Sequence, residues 1–160
     1  LRHRRGPVAA ASRPARRGAQ AVDHLRRILA LGAAGAEPGG QQLRLRQLLT
    51  GGAGADLFLF GGLVDRSDTV TDFTAAEDAL AVSAAGFGGG LLAGADLAAE
   101  NRFVAGLAAT EAFGQFLWNA ALARLFYDAD GTGIGIGAKL LIATFAPGVT
   151  LTAADMQVIA

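Results

Sequence analysis

The stretch Gly51-Gly52-Ala53-Gly54-Ala55-Asp56-Leu57-Phe58-Leu59 fits the pattern G-G-x-G-x-D-x-U-x, where U is a large apolar residue. Glycines at this spacing let the backbone take left-handed conformations, so successive carbonyl oxygens turn toward one point. Asp56 adds an anionic oxygen at the end of the turn. Phe58 then points into a core from a short strand, and Leu57 and Leu59 face the other way. One such unit does not fold alone, because each turn buries its apolar face only against neighbouring turns. The donors on offer are hard oxygens, from carbonyls at Gly52 and Gly54 and from the Asp56 carboxylate. They suit calcium better than zinc or copper.

Three downstream segments extend the pattern. Asp68-Thr69-Val70-Thr71-Asp72-Phe73 is followed by Glu77-Asp78-Ala79-Leu80; then come Phe126-Tyr127-Asp128-Ala129-Asp130-Gly131-Thr132-Gly133 and the closing 151–160. Together with the glycine unit, this ordered set resembles the C-terminal region of the RTX (repeats-in-toxin, haemolysin-type calcium-binding) family. The resemblance covers 48–160. It implies the end of a parallel β-roll, in which calcium ions sit between neighbouring turns, capped by a small domain of short, mostly antiparallel strands. It also implies that Asp68, Asp72 and Asp78 lie near the last calcium positions. The alternative for Asp72 and Asp78 is that they close turns and cap backbone ends.

Charge divides the chain. Residues 1–50 hold ten arginines against Asp23 and Glu37, a balance of +8; residues 51–160 hold twelve acids against four bases, a balance of −8. The acidic part suits a cation binder. The basic part lacks the aromatic residues that stack on bases, so nucleic acid is not expected as a partner, with the arginine-rich start as the one exception kept open; salt-sensitive DNA retention by the first fifty residues alone would support it. There is no cysteine, which excludes disulfides and thiolate metal sites. No stretch reaches the roughly 18 to 20 apolar residues that span a bilayer, so no stable membrane insertion is expected. No cleavable signal peptide is apparent at the basic start. The chain opens on Leu rather than Met, which reads as a piece of something longer.

Residues 1–47 form a separate basic segment. Residues 1–18 have the composition of a disordered chain. Over 19–33, Val22, Leu25, Ile28 and Leu29 recur at helical spacing, which predicts an amphipathic helix ended by Glu37-Pro38-Gly39-Gly40. His3 and His24 stand without a second ligand at metal spacing and read as solvated surface residues. This segment departs from the family, which has repeats before its last glycine unit. One hypothesis is a shifted reading frame; glycine–aspartate repeats found in no frame of the parent DNA would sink it.

Strands are expected over 69–73, 79–83, 124–127, 140–145 and 156–159, with Arg102-Phe103-Val104 opening another. Thr74 and Glu77 predict a capped turn. Residues 86–99 read as a mobile glycine-rich loop with Asp96 a weak ligand candidate. Trp118 reads as core. Asp128-Ala129-Asp130-Gly131 resembles the start of an EF-hand loop, but Lys139 stands where its twelfth-position Glu belongs, so a hairpin turn is expected. Gly131–Ala138 contains G-x-G-x-x-A, without the long helix that dinucleotide binding needs.

No residue is assigned a catalytic role or an organic cofactor. The resemblance implies a secreted, extracellular module, with calcium as its cofactor and the type I secretion machinery as its partner. Two further readings stay open. One is the non-catalytic C-terminal fragment of a serralysin-like metalloprotease or a lipase; the chain itself has no H-E-x-x-H and no G-x-S-x-G. The other is a piece of a surface adhesin.

Overall fold

The computed structural model describes residues 26–29, 46–133 and 139–160. The expected disordered start, both histidines and residues 134–138 of the G-x-G-x-x-A segment lie outside them. Of the helix expected over 19–33, the described part, Arg26–Leu29, is a strand (β1). The reason is its partner: it pairs in parallel with Asp56–Phe60 (β3), Arg26 opposite Asp56 and Leu29 opposite Leu59. Tertiary pairing here overrides a local pattern that a helix would also satisfy.

The fold is mainly β. Among the described residues one sheet is wholly parallel, in the order β1, β3, β5 (Ala79–Ser83) and β10 (Met156–Ile159). The other is mixed. Its parallel part holds β2 (Leu48–Leu49), β4 (Asp68–Val70) and β9 (Leu140–Phe145). It continues through β8 (Arg124–Asp128), β7 (Gln115–Asn119) and β6 (Phe103–Val104). The chain therefore alternates between sheets: β1, β3, β5 and β10 fall in one, and β2, β4 and β9 in the other. β3 and β5 are offset by 22 residues in the first sheet (Leu57 beside Ala79), and β2 and β4 by 21 in the second (Leu48 beside Thr69).

Between β5 and β9 this alternation is interrupted by residues 84–139, where the previous pass uses only 61–67. The interruption holds a one-turn helix (α1, Ala84–Phe87), β6 and the β7–β8 hairpin. Antiparallel pairing, which the resemblance implies for the C-terminal part, occurs among β7, β8 and β9. They do not form a separate sheet, because β9 also pairs in parallel with β4.

Parallel register stacks like on like. Phe58, Leu80 and Met156 form one row, Phe60, Val82 and Val158 a second, and Leu49, Val70 and Phe145 a third on the facing sheet. All nine side chains are buried in one core. Each large apolar side chain so buried contributes about 1.5–3 kcal/mol. Phe73 bridges the sheets, 6.0 Å from Phe58 and 5.5 Å from Phe145, and Trp118 meets Phe145 edge-on at 5.5 Å. A second aromatic group, Phe87, Phe116 and Tyr127, holds the interrupting segment together. No helix among the described residues is long and apolar enough to cross a membrane.

Candidate calcium-binding turn

The glycine unit makes the turn that the sequence predicts. Gly52 and Gly54 have φ of 94° and 100°, in the left-handed region that disfavours side chains. Phe58 is fully buried, as expected; Leu59, expected to face outward, is buried too. A Cβ placed on Gly51 would lie 2.8 Å from Asp56 Cγ, so the glycine is required by the carboxylate beneath it. Asp56 itself is buried at the first position of β3.

The carboxylates follow a rule. Asp72 accepts the backbone N–H of Gly51 on Oδ1 (2.9 Å) and that of Gly52 on Oδ2 (2.8 Å). Asp68 Oδ1 accepts Gln47 N–H at 2.9 Å. Asp78 Oδ1 accepts Asp56 N–H at 2.9 Å, and its Oδ2 accepts Thr74 N–H at 2.8 Å. Each aspartate reaches back 20 to 22 residues, one pass of the chain, to satisfy an N–H of the neighbouring strand or turn. Thr50 and Thr71 add a hydroxyl pair at the same offset, 2.8 Å apart. Backbone groups leaving a strand end lose their ladder partners, and a carboxylate oxygen restores them with a charge-assisted bond. Burial raises the Asp68 carboxyl above its ordinary range; the Gln47 N–H opposes this and Asp65 adds to it.

Gly52 and Asp72 meet at the turn that also holds Gly54, whereas Asp56 and Asp78 join through a backbone N–H of Asp56 and Asp68 sits at Gln47. The four aspartates do not converge. Among the described residues no three His, Cys, Asp or Glu side chains are grouped to hold a metal ion. Calcium takes six to eight oxygens, so a site here would draw mainly on turn carbonyls with single carboxylates, Asp72 foremost.

The remaining candidates serve the backbone. Asp96 Oδ1 caps Ala98 N–H and Ala99 N–H, both at 3.0 Å. Asp128 Oδ1 accepts Gly131 N–H at 3.1 Å, and burial, then the hydrogen bond and repulsion from Asp130, push its carboxyl up. Thr74 caps its turn through Asp78 rather than Glu77. The sequence predicts a short turn opened by Thr150 or Thr152 through Asp155, which is present at Thr152, but three polar residues make long-range contacts it does not signal. Asp155 links Ala76 N–H (3.2 Å) to Thr152 N–H (2.8 Å). Gln115, fully buried, ties Thr110 and Glu111 to Asn101. Arg102 binds three carbonyls of glycine-rich loops. Its signal was available: it is the sole base between Arg66 and Arg124.

Compared with protein-family models, with curated proteins and with solved structures, the chain matches none.

Proposed function

We propose that residues 48–160 form a calcium-dependent folding module of an exported protein, with its last segment serving as an uncleaved type I secretion signal. In this reading the two alternating parallel stacks are turns of a β-roll, and 84–139 is an elaboration of its final turn. The observation that carries it is that the Asp72 carboxylate of the following pass lies on the Gly51 and Gly52 backbone of the turn in which Gly52 and Gly54 are left-handed. An ion of this class would sit there, between neighbouring passes, with carbonyls of the same turn as its further ligands. Gly52, Gly54 and Asp72 would hold it, with Asp56 and Asp78 supplying negative potential near the same turn and Asp68 standing at the opposite end of β4. Calcium, when bound, would tie the turn to the Asp72 carboxylate of the following pass, so that binding free energy becomes folding free energy.

A second reading is favoured by the hydrogen bonds themselves. Both Asp72 oxygens already accept backbone N–H groups. In that reading the carboxylates replace metal as the links between passes, and the module folds without calcium.

Calorimetric titration of calcium, beside Asp72→Asn and Asp56→Asn, separates the two. The proposal expects saturable binding near roughly 10⁻⁴ to 10⁻³ M, as in extracellular calcium modules, with a gain of β circular dichroism and weaker binding in the variants. Absence of heat, with identical spectra in chelator and in millimolar calcium, would establish the second reading.

A further inference from the structure

Residues 88–90 are three successive left-handed glycines, with φ of 65°, 60° and 74°. Side chains are disfavoured at all three. The loop also packs tightly: a Cβ on Gly89 would lie 2.8 Å from Ala129 O and 2.9 Å from Gly114 Cα. Its carbonyls are used in order. Gly88 O accepts the Tyr127 hydroxyl at 2.9 Å. Gly89 O and Gly114 O accept Arg102 Nη1 at 2.9 and 3.2 Å, and Gly90 O accepts Nη2 at 2.8 Å. The Arg102 side chain is buried, and Phe113 presents its ring 4.4 Å from Cζ. The Glu100 carboxylate, half in solvent, stands 3.5 Å from Nε.

We propose that the carbonyls of Gly89, Gly90 and Gly114 form a cation site whose occupant is the chain's own Arg102 guanidinium. The three oxygens converge on one positive group, and an aromatic ring lies against it. These are the surroundings a desolvated cation requires. A neutral donor would leave the converging carbonyl dipoles uncompensated. The loop therefore carries a tethered charge where a glycine-rich turn of another kind would recruit a free ion. Arg102 is a positioning residue for the 88–90 loop and the entry to β7, since Gly89 O also receives Gly114 N–H at 3.0 Å.

The test compares all variants at one saturating calcium concentration and again in chelator, so calcium binding at the Gly51 turn is common to them and the ranking is read wherever the parent is folded. Arg102→Lys keeps a cation, and Arg102→Gln keeps planar N–H donors without charge. A cation site predicts that Lys melts closer to the parent than Gln does. Arg102→Ala is expected to lose on the order of 10 °C, part of which returns with about 20 mM guanidinium by mass action and not with urea at the same concentration. Tyr127→Phe, which loses only the Gly88 bond, gains nothing from guanidinium. The proposal is overturned if Gln equals or exceeds Lys, or if urea restores as much as guanidinium. It is also overturned if Arg102→Ala shows no recovery, or if none of the Arg102 variants folds even with guanidinium present. Should Arg102→Ala alone fail to fold, the order of Lys and Gln decides.

Discussion

Asp78 takes the backbone N–H of Asp56 on one carboxylate oxygen and that of Thr74 on the other, at 2.9 and 2.8 Å. One buried side chain thus ties the start of β3 to the turn that leads into β5. Removing it strands two donors, one of them in the interior. Asp78→Ala is expected to cost about 2–4 kcal/mol, and Asp78→Asn about half of that, because a single amide oxygen serves fewer donors. Urea unfolding of the three proteins measures this. Equal losses for Ala and Asn would show that charge, and not the pair of bonds, matters.

Gly51 and Gly54 are required for different reasons. At Gly51 an added Cβ meets the Asp56 carboxylate; at Gly54 it meets nothing within 4 Å, but φ is 100°. Gly54→Ala should cost about 1–3 kcal/mol through backbone strain alone, whatever stands at position 56. Gly51→Ala should be partly relieved by Asp56→Ala, giving a coupling of about 1 kcal/mol in a double-mutant cycle. Strict additivity of Gly51→Ala and Asp56→Ala would contradict the steric account.

Asp68 is ionised at a cost. Its folded carboxyl lies above the ordinary 3.8, chiefly through burial. The folded state therefore holds its proton more tightly than the unfolded chain does. This group's contribution to stability is present below 3.8 and is lost as pH rises through the folded value. Asp68→Asn, whose amide oxygen still accepts Gln47 N–H, should raise the urea midpoint at neutral pH and leave it unchanged in strong acid. A lower midpoint at neutral pH would mean that the charge on Asp68 stabilises the fold.

Tyr127 is the sole tyrosine, so its ionisation is read without interference. Burial outweighs the nearby Arg102 charge and pushes the phenol from 10.0 to about 12. The unfolded chain loses this proton first, so stability falls as pH rises past 10.0 and this contribution is gone above about 12. Ultraviolet titration should show tyrosinate forming near 12 in the folded protein and near 10 in denaturant. A single transition near 10 in both would place the hydroxyl in water rather than on Gly88.

Much of the strand pattern was legible because it is local. The short apolar runs at 79–83, 140–145 and 156–159 mark strands whose bounds the structure reproduces. The left-handed glycines at 52 and 54 followed from spacing, and Trp118 proved to be core. What escaped is non-local. The run Val22, Leu25, Ile28, Leu29 suits a helix face, yet Arg26–Leu29 is drawn into a strand by a partner thirty residues on, as Arg26 beside Asp56 shows. The capping roles of Asp68, Asp72 and Asp78 depend on which N–H lies one pass earlier, which no window of sequence reveals. Arg102 was passed over because its three acceptors are carbonyls, and carbonyls carry no signature in the sequence.

The parallel pairing of β10 with β5 sets Met156 beside Leu80, and β9 with β4 sets Ala143 beside Asp68. Contacts of such sequence separation raise the contact order of the chain and slow the search for the native state. Their loop-closure entropy grows only logarithmically with length, so the interrupting segment burdens the rate far more than the final stability. If 84–139, with its own aromatic group and its Arg102 clamp, organises first, the ends at Ser83 and Leu140 are brought near each other early. The effective loop is then short, and a long excursion in sequence behaves kinetically like a turn.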